Sequence, residues 1–135
     1  MRDMNKIWTN GCFDILHIGH IRLLKYAKSL GDQLTVGIDS DRRIQEIKGI
    51  NRPINGENFR KEMLLSIRWV DNVVVFDSDQ ELETLIQQHS DKMVVGSDYR
   101  NKRVIGNQYS EVEFFNKIDD HSTTDTLTKL FLGKK

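Results

Sequence analysis

The chain has 135 residues, enough for one domain with its own core and too few for two. Its 20 Lys and Arg balance its 20 Asp and Glu, so no net field draws it to nucleic acid or to an anionic membrane, and any polyanion must meet a local site. The single cysteine, Cys12, excludes an intrachain disulfide and fits a cytoplasmic protein, while Arg2, Asp3, Lys6, Asp14 and Arg22 interrupt any signal peptide or membrane span.

Short β-rich runs alternate with helical patterns along the chain. KIWT (residues 6–9) reads as a first strand, followed by the turn NGCFD. A helix is expected over 18–30, with Ile21, Leu24, Tyr26 and Ala27 near helical spacing and Gly31 as its stop. QLTVGI (33–38) is a second strand, and DSDRRIQEI a short helix running into the loop KGINRPIN, which holds the only proline, Pro53. GENFRKEMLLSIRWV (56–70) predicts a second long helix, with Phe59, Met63, Leu64 and Ile67 on one side. NVVVF (72–76) reads as a buried strand from its β-branched run, DQELETLIQQHS as a helix and KMVVG (92–96) as the fourth strand. After the polar stretch SDYRNKRVIGNQYS come an edge strand, EVEFFNKI (111–118), and a last helix, STTDTLTKLFL, where Ser122 and Asp125 have capping-box spacing.

This order predicts an α/β fold: a Rossmann-like, doubly wound sheet of about five parallel strands in the order 3-2-1-4-5, with helices on both faces, in a single domain over residues 1–135. In such a sheet the winding reverses between strands one and four, and ligands bind at the carboxyl ends beside the reversal. Two polar strand ends would meet there, NGCFD with Gly11 and VGSDY with Gly96.

The candidate chemistry gathers at those ends. His17 and His20 lie at i, i+3 around a helix start, so both imidazoles face one way and can reach one anion. A helix N-terminus already offers unpaired N–H groups and partial positive charge, and Gly19 removes a side chain between the two rings. The spacing alone also suits a purely structural pair. A metal held by Cys12, His17 and His20 lacks a recognisable ligand spacing and a fourth partner, and Cys12 as a nucleophile has no base apart from the same histidines. Lys48 and Arg52 share the KGINRP loop, Arg60 and Arg68 at i, i+8 lie near one face of the predicted helix, and HSTTD brings Ser122, Thr123 and Thr124 to a second helix N-terminus suited to phosphate oxygens. Asp98 in GSDY could accept from ribose hydroxyls or a base edge, and neither G-x-G-x-x-G nor a Walker A sequence is present.

GCFDILHIGH, KGINRPI, IRWVDNVVVF, VVGSDY and HSTT occur in the order and at roughly the distances seen in the small cytidylyltransferase-like nucleotidyltransferases, which the chain resembles over residues 6–130. Within that family, KGINRPIN, VVGSDYRNKRVIG and the lone STT are similar to the adenylyltransferase domain that makes ADP-heptose from a heptose 1-phosphate. IRWVD and the compact length are similar instead to glycerol-3-phosphate cytidylyltransferase, which uses CTP. The chain reads KIDDH where that branch has Arg-Thr-x-Gly-x, with Lys117 at the arginine position, which favours the heptose type.

The resemblance implies that the phosphate of a small phosphorylated sugar or polyol attacks the α-phosphorus of ATP or CTP and releases pyrophosphate, with Mg2+ accompanying the triphosphate. His17, His20 and Lys48 would be catalytic, Thr9, Gly11, Cys12, Phe13, Gly19, Gly96 and Asp98 would line the nucleotide, and Ser122, Thr123 and Thr124 would hold its β and γ oxygens. Asp14 would brace the turn, Arg60 and Arg68 would hold pyrophosphate or the acceptor phosphate, and no protein metal ligand is expected. The family also implies a homodimer, with Trp69 and nearby apolar positions as contacts. Two readings from other classes are a non-catalytic nucleotide-binding module and a flavodoxin-like interaction domain with structural histidines.

Overall fold

A computed structural model describes residues 4–97 and 100–116. The elements run β1 (Lys6–Gly11), α1 (Ile18–Ser29), β2 (Gln33–Asp39), α2 (Asp41–Lys48), α3 (Glu57–Leu65), β3 (Asn72–Phe76), α4 (Asp79–His89), β4 (Lys92–Gly96) and β5 (Glu111–Phe115). All five strands are parallel and pair in the order β3-β2-β1-β4-β5, so the predicted reversal falls between β1 and β4. Asp98 and the segment from Lys117 onward, with Ser122, Thr123, Thr124 and the expected last helix, lie outside the described residues.

Strand side chains alternate between the two faces, and each face receives its own helices. Ile7, Leu34, Val36, Ile38 and Val94 meet Leu24 and Ala27 of α1 and Leu64 of α3. Trp8, Met93 and Phe76 meet Leu82 and Ile86 of α4 on the other face. Gly37 in β2 makes room for the Trp8 indole, since a Cβ there would lie 2.4 Å from the Trp8 ring.

Three expectations are corrected. NVVVF is an edge strand: Val73 and Phe76 are buried but Val74 and Val75 are only half-buried, because β3 has a neighbour on one side alone. The helix expected over 56–70 ends at Leu65, so Arg68 lies in the following turn and shares no helix face with Arg60. Of the four apolar residues expected on one side, Leu64 is buried and Ile67 packs on the core, but Phe59 and Met63 are 53% and 46% exposed, and Arg60 takes the inward position beside Leu64.

Asp71 ties α1 to the β2–β3 edge, accepting from Lys28 Nζ at 2.6 Å and from Leu34 N at 2.8 Å. Partial burial pushes its carboxyl up, but the hydrogen bonds from Lys28 and Leu34 prevail and hold it below the usual range. A folded-state pKa below the unfolded value, about 3.9, gives stability that is present above that pH and lost as pH falls through the folded value. Urea midpoints measured between pH 6 and pH 2.5 should therefore drop less steeply in Asp71→Asn than in the parent.

Candidate active site

The connection from β1 to α1 builds the centre of the site. Phe13 is buried with φ 49°, the left-handed region a non-glycine residue seldom takes, and its ring packs on the His20 ring at 5.2 Å between centroids. Gly11 permits this, since a Cβ there would press on the Phe13 ring at 3.3 Å. The strained turn delivers His17 to the N-cap of α1 in an extended conformation.

There the two histidines form a capping box, roles more often taken by Ser or Thr and by Glu or Gln. His17 Nδ1 accepts from Gly19 N at 3.1 Å, and His20 Nδ1 accepts from His17 N at 3.1 Å. With both Nδ1 atoms taken up as acceptors, Nε2 is the nitrogen of each ring that can donate. The rings lie 4.0 Å apart between centroids, tilted by 31°, close enough to serve one oxyanion. The first turns of α2, α3 and α4 contain Asp41, Glu57, and Asp79 with Glu81, whereas the first turn of α1 contains no acid. The positive end of the α1 dipole therefore meets no acid from its own first turn, which suits an anion there.

Gly19 has a sharper role than spacing suggested. A Cβ there would lie 2.8 Å from His17 Cε1 and 3.0 Å from Nδ1, so the glycine clears space for the capping imidazole itself. Gly19→Ala should displace His17 and lower turnover by roughly tenfold or more, with a shift in urea midpoint no larger than that of an N-cap loss. Steady-state turnover and urea unfolding measure the two effects.

The neighbouring loops are fastened to this turn. Asp14 is buried, and its carboxylate accepts from Ile54 N and Asn55 N at 2.8 Å each, while Asn55 Nδ2 donates to Asp14 O at 2.7 Å. Sequence reasoning missed Asn55; its only local signal is its place two residues after Pro53. Arg60, expected to bind phosphate, is instead 1% exposed and donates to the carbonyls of Asn55, Cys12 and Asp39 and to the Asp41 carboxylate, at 2.8–3.0 Å. It joins three loops and has no open face for a ligand. Thr9 is likewise buried, and its hydroxyl donates to Val94 O at 2.9 Å, locking β1 to β4 rather than lining the mouth.

Lys48 closes α2 and is exposed, rather than standing in the loop beyond it, and its ammonium acts on Cys12. Cys12 Sγ lies 3.6 Å from Asp39 Oδ2. Burial first, then the Asp39 charge, push the thiol up, and Lys48 only partly opposes them. Cys12 is thus a thiol at neutral pH, unsuited to be a nucleophile. Among the described residues no group of three His, Cys, Asp or Glu is placed to hold a metal ion, and no helix is long and apolar enough to cross a membrane. Gly96 ends β4 beside the β1 turn. Arg68 is exposed, and among the described residues no hydrogen bond or ion pair joins it to the histidine loop.

A parallel sheet that reverses between β1 and β4, with a histidine-capped helix start at the reversal, defines a doubly wound, Rossmann-like α/β protein. The chain belongs to the cytidylyltransferase-like family, whose model matches residues 8–125. It is 45% identical over 125 residues to "Bifunctional protein HldE" of Campylobacter fetus subsp. fetus, covering 92% of this chain and 27% of the relative. It is 44% identical over 129 residues to the protein of the same name from Helicobacter hepaticus, covering 95% and 27%. The chain thus spans about a quarter of the length of these curated relatives. Among solved structures, the lipopolysaccharide core biosynthesis protein of Thermoplasma volcanium superposes with a TM-score of 0.69 at 28% identity, over 87% of this chain and 100% of that one.

Proposed function

We propose that the protein transfers AMP from ATP to the phosphate of a heptose 1-phosphate, releasing pyrophosphate and forming ADP-heptose. The observation that carries this reading is the histidine capping box, which sets two imidazoles side by side at a helix start whose first turn holds no acid. The likeness to the HldE proteins and the KGINRPIN, VVGSDYRNKRVIG and STT stretches favour adenine and a heptose phosphate over cytosine and glycerol phosphate.

An oxygen of the acceptor phosphate attacks the α-phosphorus while the bond from that phosphorus to the bridging oxygen of the β-phosphate breaks, and the electron pair leaves with pyrophosphate. The attacking phosphate is already ionised, so no general base is required. Catalysis is then positioning and charge stabilisation. The Nε2–H groups of His17 and His20 donate to the α- and β-phosphate oxygens as charge moves to the leaving group. Lys48 adds a full positive charge from the end of α2. Ser122, Thr123 and Thr124 would hold the β and γ oxygens and Asp98 the nucleoside, and Mg2+ accompanying the triphosphate would supply charge neutralisation.

The same reading includes a homodimer, for which the exposed Phe59, Met63 and Leu65 offer apolar surface in the helix preceding Trp69; sedimentation at several concentrations tests it. Pyrophosphate release, measured with four nucleoside triphosphates against heptose 1-phosphate and glycerol 3-phosphate, tests the reaction. Turnover should be highest with ATP and heptose 1-phosphate. Preference for CTP and glycerol 3-phosphate would reassign the substrates, and binding of a triphosphate with no product from any pair would make the protein a binding module.

A further inference from the structure

Arg52, in the loop between α2 and α3, has a side chain only 12% exposed, yet its Nε and Nη2 are buried and meet no hydrogen-bond acceptor among the described residues. These two nitrogens form the guanidinium edge that grips two oxygens of a single oxyanion. The carboxylate they face is that of Asp14, whose Oδ2 is 3.5 Å from Nε, beyond the length of a charge-assisted hydrogen bond. Both Asp14 oxygens already accept the amides of Ile54 and Asn55. Asp14 therefore balances the charge of Arg52 without meeting its donors. Buried charged donors left unmet are costly, and a site that keeps them calls for acceptors from elsewhere.

The surroundings indicate which acceptors. Arg52 lies in the loop that follows Lys48 at the end of α2, and Asp14, to which that loop is fastened, precedes His17 in the β1–α1 connection. Two phosphorylated substrates bring several negative charges to this mouth. The imidazoles and the helix terminus answer them with hydrogen-bond donors, and Arg60 is buried against backbone carbonyls. We propose that Arg52 is a phosphate receptor of this site, its guanidinium turning from Asp14 to grip two oxygens of a substrate phosphate. That phosphate is either the monoester of the acceptor or the triphosphate of the nucleotide. The inference rests on the nucleotidyltransferase reading given above.

Arg52→Lys tests it, because lysine keeps the charge beside Asp14 and loses the two-pronged edge. Parent and variant are titrated calorimetrically with ATP, with heptose 1-phosphate and with inorganic pyrophosphate, and both are unfolded in urea. The dissociation constant for one or both substrates should rise roughly ten- to hundredfold at an unchanged urea midpoint. A change confined to heptose 1-phosphate assigns the grip to the acceptor, and one confined to ATP assigns it to the triphosphate. Unchanged constants overturn the proposal, as does general weakening with a lowered midpoint, which would make Arg52 a structural clasp for Asp14. A parent that binds neither substrate overturns the nucleotidyltransferase reading instead, and the pyrophosphate titration then still decides whether the guanidinium binds phosphate.

Discussion

His17→Asn is expected to lower turnover by roughly two to three orders of magnitude, the loss typical of removing one transition-state donor, while stability changes by only about 0.5 kcal/mol. The histidine does two jobs with two nitrogens. Its Nδ1 caps α1 through Gly19 N, and its Nε2–H is the donor assigned to phosphate. Asparagine is among the best N-cap residues, so its side-chain oxygen replaces the cap and nothing replaces the donor. His17→Ala should lose both, adding about 1 kcal/mol of destabilisation to a similar loss of rate. Urea unfolding and steady-state pyrophosphate release, run on both variants, separate the two roles. Normal turnover of His17→Asn with the correct substrate pair would sink the proposed use of this ring.

Arg60→Met should destabilise the fold by about 3–5 kcal/mol, the range found when one partner of a buried charged network is removed. Methionine fills much of the volume but leaves the carbonyls of Cys12, Asp39 and Asn55 without their donor and Asp41 without its ion pair. Those carbonyls belong to the loops that carry the histidines, the start of α2 and the start of α3, so their order should fail together. Amide exchange would show this as lost protection around Cys12, Asp41 and Asn55. A phosphate ligand would behave otherwise, with stability retained and the KM for one substrate raised. That outcome would restore the role expected from sequence.

The strands were legible because their signals are local. KIWT, QLTVGI, NVVVF and KMVVG are short β-branched or apolar runs between turn residues, and each forms a strand where expected. The parallel order followed from the alternation with helices, since a parallel neighbour requires a crossover. The histidine pair was legible as a feature of a helix start. Its capping geometry was not, because Ser or Glu would be the usual sequence sign of a capping box. Helix α3 was misread for a similar reason. Its apolar residues Phe59 and Met63 suggested a core face, but Arg60 takes the inward position and turns them to solvent.

What the sequence determined by itself is the alternating α/β order and the presence of H-x-G-H after the first strand, which depend on spacing along the chain, while the strand order that puts the reversal beside it is fixed by tertiary pairing. What only the tertiary structure decided is the direction of each charged or polar side chain at that point. Arg60 and Thr9 find their partners in backbone carbonyls of distant segments, and Asp14 finds its own in the amides of Ile54 and Asn55. A backbone carbonyl or amide is the same group at nearly every residue and leaves no mark in the sequence. An arginine therefore reads as a cation available to phosphate until the fold brings carbonyls to one, Arg60, and leaves another, Arg52, with donors still to be met.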